Sequence, residues 1–153
     1  MSYEAELETR GFPIPELLTV SEKPFEPGIK TGNLIFVSGN AARVGGELKY
    51  TGIVGRDVTL EQAQEAAKIC FVNCLAAIKK LEGNLDTVAK IVNIKGYVAS
   101  TPEFTGQPKV MDGVSKLACE VFGEAGKHSR AALGTASLPG GTPVEVEMVV
   151  EVK

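Results

Sequence analysis

The sequence has no tryptophan, one histidine and three cysteines, and it lacks any long run of apolar residues. A helix that crosses a bilayer needs about 20 consecutive apolar residues, so we expect no membrane association. Three cysteines cannot all pair, and the acidic N-terminus lacks the apolar segment of a secretory signal. These absences favour a reducing compartment, and we expect the protein to be cytoplasmic.

Basic residues are in the minority, because 16 Lys and Arg stand against 19 Asp and Glu, which gives a net charge of −3. Nucleic-acid-binding proteins usually carry a basic patch or stripe. The densest basic run is Lys79-Lys80, at the end of a predicted helix, where cations suit the negative end of the helix dipole. We therefore expect no nucleic-acid partner.

Patterns that hold metals and nucleotide cofactors are missing as well. His128 is the one histidine, and no Cys-x-x-Cys pair accompanies it, so no metal site is predicted. The glycines lack the neighbours of a dinucleotide-binding or P-loop motif.

Hydrophobic residues make up 44% of the 153 residues, which suffices for one core without disulfides or metals. We expect a single domain over 1–153, with 1–17 as an N-terminal extension. Strand and helix patterns alternate, which indicates an α/β (α+β) protein with a mixed sheet and two helices packed on one face. The predicted elements are a short helix over 3–10, a short edge strand within 24–33, strands over 34–38 and 48–50, a helix over 60–82, a strand over 88–99, a helix over 108–122, and closing strands over 130–136 and 144–152.

The long helix has a clear start, because Thr59 and Gln62 form a capping-box pattern. Cys70 and Cys74 recur at helical spacing within its apolar stripe, and a free cysteine behaves as a small hydrophobe. We expect both in the core, although cysteines four apart share a helix face and suggest metal ligands as the alternative. Cys119, beside the stripe of the second helix, is expected in the core too.

Two predicted strands show an inward-facing side. In the strand over 88–99, the residues expected on one side are Val92, Ile94, Gly96 and Val98. In the last strand, valines and Met148 alternate with Glu145, Glu147 and Glu151 at period two, which indicates one buried face.

Arg130 opens a strand of small residues. A guanidinium in such surroundings can hold a carboxylate through two parallel hydrogen bonds. The alternative is an inter-strand salt bridge to a glutamate, and the residues alone leave the two balanced. His128, two residues earlier, is a candidate general base, but a polar residue at the start of the strand is the preferred interpretation.

Two further positions are weaker candidates. Glu145 could simply belong to a solvated strand face. Ser38-Gly39 ends a predicted buried strand, where a glycine lets a ligand approach the backbone and its N–H could bind an anion. A plain turn glycine is the alternative there.

Several of these segments together resemble the RidA/YjgF family. Gly32 to Gly39, which reads Gly-Asn-Leu-Ile-Phe-Val-Ser-Gly, is similar to its early strand. Arg130, Leu138-Pro139 and the Val-Glu-Val-Glu-Met run over 144–148 resemble its C-terminal signature. The resemblance covers about residues 24–152, and it is nearer to the branch labelled endoribonuclease L-PSP-like than to RidA itself.

The resemblance implies a chorismate-mutase-like fold, a homotrimer with clefts between subunits, and no cofactor. It also implies hydrolysis of enamines or imines, such as 2-aminoacrylate, to a 2-oxo acid and ammonia. By position, Arg130 matches the residue that grips the substrate carboxylate and Glu145 the residue that positions water. Gly39 matches the backbone donor near the ligand, with Ser38 beside it, and Phe25 matches a tyrosine that lines the cleft.

Three positions depart from that pattern. Phe25 has no hydroxyl, Ala132 replaces a cysteine and Gly113 replaces an asparagine. The alternatives are therefore a non-catalytic trimer that binds small carboxylates, such as 2-oxo or 2-imino acids, and, less favoured, an endoribonuclease. An acidic protein without a basic stripe is poorly suited to cutting RNA.

Overall fold

The structure is a computed structural model that describes residues 1–17 and 23–153. These residues form three helices, seven strands and three short 3₁₀ helices, joined by loops. The helices are α1 (Tyr3–Thr9), α2 (Leu60–Glu82) and α3 (Gln107–Phe122). The strands are β1 (Gly28–Thr31), β2 (Leu34–Ala41), β3 (Arg43–Val44), β4 (Glu47–Leu48), β5 (Val88–Ala99), β6 (Ser129–Thr135) and β7 (Val144–Val152).

Five of the strands form one mixed sheet in the order β1-β2-β7-β5-β6. The β5–β6 pair is parallel, with α3 in the crossover between them, and the other three pairs are antiparallel. Strands β3 and β4 form a separate hairpin. Helices α2 and α3 pack on one face of the sheet, so the predicted mixed α/β architecture is confirmed.

Helix α2 spans the predicted 60–82. Thr59 and Gln62 make both hydrogen bonds of the capping box, which satisfies backbone donors at the first turn. Gly83 ends the helix with φ of +91°, a conformation that residues with a Cβ rarely adopt. Cys70 and Cys74 lie on its fully buried side, as predicted.

The alternation of buried residues along strand β7 distinguishes the face of the sheet that the helices cover from the opposite face. The five even-numbered residues of β7, from Val144 to Val152, are buried against the helices, and the residues between them are only partly buried. The neighbouring strands bury the same face, because Ile35 pairs with Val150, Ile94 pairs with Met148, and both isoleucines are fully buried. We call the other side, which α2 and α3 do not cover, the open face.

Two predictions about facing residues were wrong. Val92 does not share the buried side of β5, because irregularities in the pairing with β7 shift the register between Ile91 and Asn93; Ile91 takes the buried position instead. Cys119 is exposed rather than in the core, because the buried stripe of α3 runs through Leu117, Ala118 and Val121.

The N-terminal helix is anchored to the helical layer. Leu7 is fully buried in the common core, and the Tyr3 ring lies 4.4 Å from the Phe122 ring, centroid to centroid. The Glu4 carboxylate accepts a hydrogen bond from the Leu85 backbone at 3.1 Å. Among the helices of residues 1–17 and 23–153, none is long and apolar enough to cross a membrane.

Candidate functional site

Gly39 and Glu145 meet on the open face where β2 is irregular. The pairing of β2 with β7 shifts register between Val37 and Asn40, which places Ser38-Gly39 as a bulge. A Cβ at Gly39 would stand 3.2 Å from the carboxyl carbon of Glu145 and 3.4 Å from its Oε2. An alanine here would press on the Glu145 side chain, which lies over the strand backbone at this point.

Ser38 connects this bulge to the segment that contains Phe25. Its backbone N–H donates to the Pro27 carbonyl at 2.9 Å and its hydroxyl donates to the Glu26 carbonyl at 2.6 Å. Phe25, the next residue back, is 56% exposed, and the Lys23 ammonium lies 5.6 Å from its ring. The Ser38 hydroxyl therefore holds the loop, and Phe25 presents an apolar ring to its surroundings.

Beside Glu145, a second glutamate is already engaged. The Tyr97 hydroxyl donates to Glu147 at 3.0 Å, and the Lys95 ammonium lies 3.7 Å from the same oxygen. Tyr97 is the register partner of Glu145 on β5. The sequence interpretation did not name Tyr97 as a site residue. The alternation of β5 could have indicated it, because Tyr97 follows the inward-facing Gly96 and therefore faces outward.

The surroundings of Glu145 and Tyr97 change the pKa values of both groups. Burial, and secondarily the charge of Glu147, raise the pKa of Glu145. Burial and its hydrogen bond to Glu147 raise the pKa of Tyr97, so its hydroxyl keeps its proton at neutral pH. Glu145 is therefore the partly buried carboxyl group of this pair, and its protonated form is favoured relative to a carboxyl group in water.

Arg130, the second residue of strand β6, contacts helix α3. Its Nη1 donates to Asp112 Oδ1 at 2.9 Å and to Ser115 Oγ at 3.1 Å. The alternative expected from the sequence, an inter-strand salt bridge to a glutamate, is not the pair that forms; Arg130 instead makes a salt bridge with Asp112 of helix α3. Within the described part of the chain, Nη1 is the guanidinium nitrogen that makes these hydrogen bonds, and Nε and Nη2 make none.

His128 completes this hydrogen-bonded chain. Its Nδ1 lies 2.6 Å from the Gly126 carbonyl and its Nε2 lies 2.9 Å from Ser115 Oγ. A carbonyl only accepts, so Nδ1 carries a proton, and the Ser115 hydroxyl, which accepts from Arg130, can donate to Nε2. His128 therefore supports the group that holds Arg130, in keeping with the polar-residue interpretation of this position.

Arg130 and Glu145 lie on opposite faces of the sheet within one chain. Arg130 pairs with Ile94, which is fully buried against the helices, whereas Glu145 belongs to the open face. Two strand spacings of about 4.8 Å and three residues of about 3.3 Å put their Cα atoms roughly 14 Å apart. One copy of the chain cannot bring both groups to a single small acid.

The buried cysteines lie behind this site. The thiols of Cys70 and Cys74 donate to the carbonyls of Val144 and Val146, each at 3.3 Å. Burial raises the pKa of Cys70 well above its ordinary range and that of Cys74 to about 12. Both are therefore packing residues rather than nucleophiles. No group of three or more His, Cys, Asp or Glu side chains in 1–17 and 23–153 is arranged to hold a metal ion.

Two of the three positions that depart from the family pattern, Ala132 and Gly113, lie on the helix side of the sheet. Ala132 follows Arg130 on β6 and packs against the core. Gly113 is buried where α3 meets α2, and a Cβ there would stand 3.3 Å from Lys68 Cε. Neither residue is on the open face with Glu145.

A mixed sheet with two long helices on one face makes this an α/β protein, and its family match gives that architecture the chorismate-mutase-like description. The chain belongs to the YjgF family, since the family model described as "YjgF/chorismate_mutase-like, putative endoribonuclease" matches residues 4–151. The resemblance inferred from the sequence motifs is thereby confirmed.

Three relatives illustrate the similarity. The solved structure of Atu1372, a protein of unknown function from Agrobacterium tumefaciens, is 41% identical, with a TM-score of 0.91 over 99% of this chain and 92% of that one. A "putative endoribonuclease" from Shewanella oneidensis is 28% identical, with a TM-score of 0.92 over 99% and 100% of the two chains. Protein TCP17 from Trypanosoma cruzi is 39% identical over 79% of this chain and 76% of that protein.

Proposed function

We propose that this protein hydrolyses small reactive enamines and imines of the 2-aminoacrylate type to a 2-oxo acid and ammonia. The observation that carries the proposal is the Arg130 guanidinium, which Asp112 and Ser115 hold by Nη1 alone, so that among the described residues Nε and Nη2 have no hydrogen-bond partner and could pair with a carboxylate. The reaction needs no cofactor, because an imine carbon is already electrophilic.

The chemistry asks little of the protein beyond binding, orientation and one proton carrier. The enamine carbon gains a proton and the nitrogen loses one, which gives the imine; water then adds across the C=N bond, and the carbinolamine collapses to the 2-oxo acid as the C–N bond breaks and ammonia leaves. Glu145, whose pKa burial raises, is the group that accepts the proton of the attacking water and returns one to the leaving amine. Such proton transfer contributes roughly 10²–10⁴-fold to a rate.

The site is formed between copies of the chain in a homotrimer. Arg130 and Glu145 lie on opposite faces of one sheet, so a site that uses both needs Arg130 from one subunit and Glu145 from another. The open face also carries apolar side chains that are about half exposed in the single chain, namely Ile29, Phe36 and Leu133. Association would bury them, which favours an oligomer.

We further infer a cytoplasmic location. The thiols of Cys70 and Cys74 are free and donate hydrogen bonds in the core, which suits a reducing compartment.

The alternative is a trimer that binds small carboxylates without turning them over. It is favoured by one observation: the Arg130 anchor with Asp112 and Ser115 forms independently of Glu145. RNA cleavage, which the name of the Shewanella oneidensis relative indicates, is less favoured, because the chain carries a net charge of −3.

The test is release of pyruvate from enzymatically generated 2-aminoacrylate, measured against buffer, with the purified wild type, Arg130→Ala and Arg56→Ala. Arg56 is an exposed arginine paired with its neighbour Asp57, so its variant controls for loss of one positive charge. We expect acceleration that Arg130→Ala abolishes and Arg56→Ala preserves. Acceleration that survives Arg130→Ala would sink the proposal.

Two accompanying measurements separate the alternatives. Saturable binding of 2-oxobutyrate without turnover would identify the binding protein instead of the enzyme. Analytical ultracentrifugation should give a trimer at micromolar concentration, and a monomer would contradict the shared site.

A further inference from the structure

A groove of about 440 Å³ lies between the N-terminal segment, α2 and α3, on the side of the helical layer away from the sheet. We call it the helix-layer groove, and its lining residues are Arg10, Phe12, Gln64, Lys68, Gly113, Lys116, Leu117 and Glu120. Its volume lies within the range of small-molecule sites, about 300–1,000 Å³. It is separate from Arg130, which contacts α3 through Asp112 and Ser115.

The positive charges in the groove are only partly balanced. Arg10 is fixed by two carboxylates, with Nη2 2.9 Å from Glu6 and Nη1 2.9 Å from Glu120. Over the residues that the structure describes, Lys68 and Lys116 take part in no salt bridge. The nearby carboxylate of Glu65 is already bound by Lys49 at 2.6 Å and by the Tyr50 hydroxyl. Arg10, Lys68 and Lys116 together carry three positive charges against the two carboxylates of Glu6 and Glu120, so the groove region keeps one net positive charge.

The walls of the groove are held in place. Gln64 donates to the Lys109 carbonyl at 2.8 Å, which joins α2 to α3 along the groove. Gly113 leaves the floor open, because a Cβ there would contact both Lys68 and Gln64. Phe12 provides an aromatic surface, with the Lys68 ammonium 5.8 Å from its ring centroid. The groove thus combines two lysine charges with an aromatic and an aliphatic wall.

We propose that the helix-layer groove binds a small phosphate monoester with an aromatic or apolar group. Lys68 and Lys116, which take part in no salt bridge among the described residues, can each donate to an oxygen of a phosphate monoester, and lysine serves phosphates well as a point charge. The Phe12 ring and Leu117 then contact the organic part. This site is independent of the imine-hydrolysis proposal, since it uses none of that site's residues.

The test is a titration of the full-length ¹⁵N-labelled protein with phenyl phosphate at 150 mM salt, followed by backbone amide shifts. The variants are Lys68→Gln, Lys116→Gln and, as a control of equal charge change, Lys80→Gln, an exposed lysine in the last turn of α2. We expect shifts that map to the groove, and each groove variant should weaken binding by about tenfold, the loss of one charge-assisted hydrogen bond. Lys80→Gln should stay within about twofold of the wild type.

Two comparison ligands make the ligand class testable. Inorganic phosphate should bind more weakly than phenyl phosphate, and phenol should not bind measurably. Equal affinity for inorganic phosphate would overturn the organic part of the proposal. Equal weakening by all three variants, shifts that map elsewhere, or no binding at millimolar phenyl phosphate would overturn the site itself.

Discussion

The carboxyl group of Glu145 lies against the backbone of Gly39, so close that a Cβ on Gly39 would stand 3.2 Å from the carboxyl carbon. A bulge in β2 and an outward-facing position on β7 create this contact. The contact brings together Gly39 and Glu145, which were the weaker candidates in the sequence. It also explains the glycine, because a larger residue would crowd the Glu145 side chain.

Replacing Gly39 with alanine should therefore move the Glu145 carboxyl. We expect turnover of 2-aminoacrylate to fall by about tenfold or more, since small misplacements of a proton carrier are costly. The double variant Gly39→Ala/Glu145→Asp, whose shorter side chain clears the added methyl, should recover part of the packing and hence of the thermal midpoint. An unchanged rate in Gly39→Ala would show that this contact does not position Glu145.

Glu145 should make stability depend on pH with a defined sign. Its pKa is raised in the folded state, so the folded chain binds more protons than the unfolded chain above the ordinary value of 4.5. Stability is then lost as the pH rises from that value through the folded pKa, and the loss is complete above it.

Glu145→Gln should consequently stabilise the protein at pH 7, by about 1–2 °C in the thermal midpoint, because the group is partly solvated and the effect is screened. The difference from the wild type should shrink to nothing as the pH falls below the ordinary carboxyl range. Thermal unfolding at several pH values measures it, and a Glu145→Gln variant less stable than the wild type at pH 7 would contradict the assignment.

Ser115 should matter for carboxylate binding rather than for the chemical step. Ser115→Ala removes one hydrogen bond from Arg130 Nη1 and the partner of His128. We expect KM for 2-aminoacrylate, or Kd for 2-oxobutyrate, to rise about three- to tenfold with kcat nearly unchanged. His128→Asn in the Ser115→Ala background should add little, since the two residues act on Arg130 through one contact. Additive effects would separate His128 from the anchor.

Thiol labelling should distinguish the three cysteines. Cys119 is exposed, whereas Cys70 and Cys74 are buried and their pKa values are raised by burial. Iodoacetamide at pH 8 should modify one thiol per native chain and three after denaturation, as counted by mass spectrometry. Cys119→Ser should leave the native chain unlabelled, and rapid native labelling of Cys74 would contradict its packing in the core.

Local signals allowed accurate prediction of most elements. The capping box and Gly83 determine where α2 begins and ends, and the alternation of β7 specifies its buried face. The prediction failed where pairing with a distant strand matters. Val92 was expected on the buried face, but a register shift in the pairing of β5 with β7 moves it away from that face. The exposure of Cys119 shows the same limit, since a residue at the margin of an apolar stripe is buried only if a neighbouring element covers it.

By itself, the sequence determined the order of strands and helices, the membership of the family and the identities of Arg130 and Glu145 as candidates. Hydrophobic periodicity, caps and motif spacing are properties of the chain read along its length. Only the tertiary structure decided that the two residues face opposite sides of the sheet, that Asp112 holds Arg130, and that Gly39 makes room for Glu145. These relationships join residues on different elements, so they depend on strand register and packing, which no local pattern encodes.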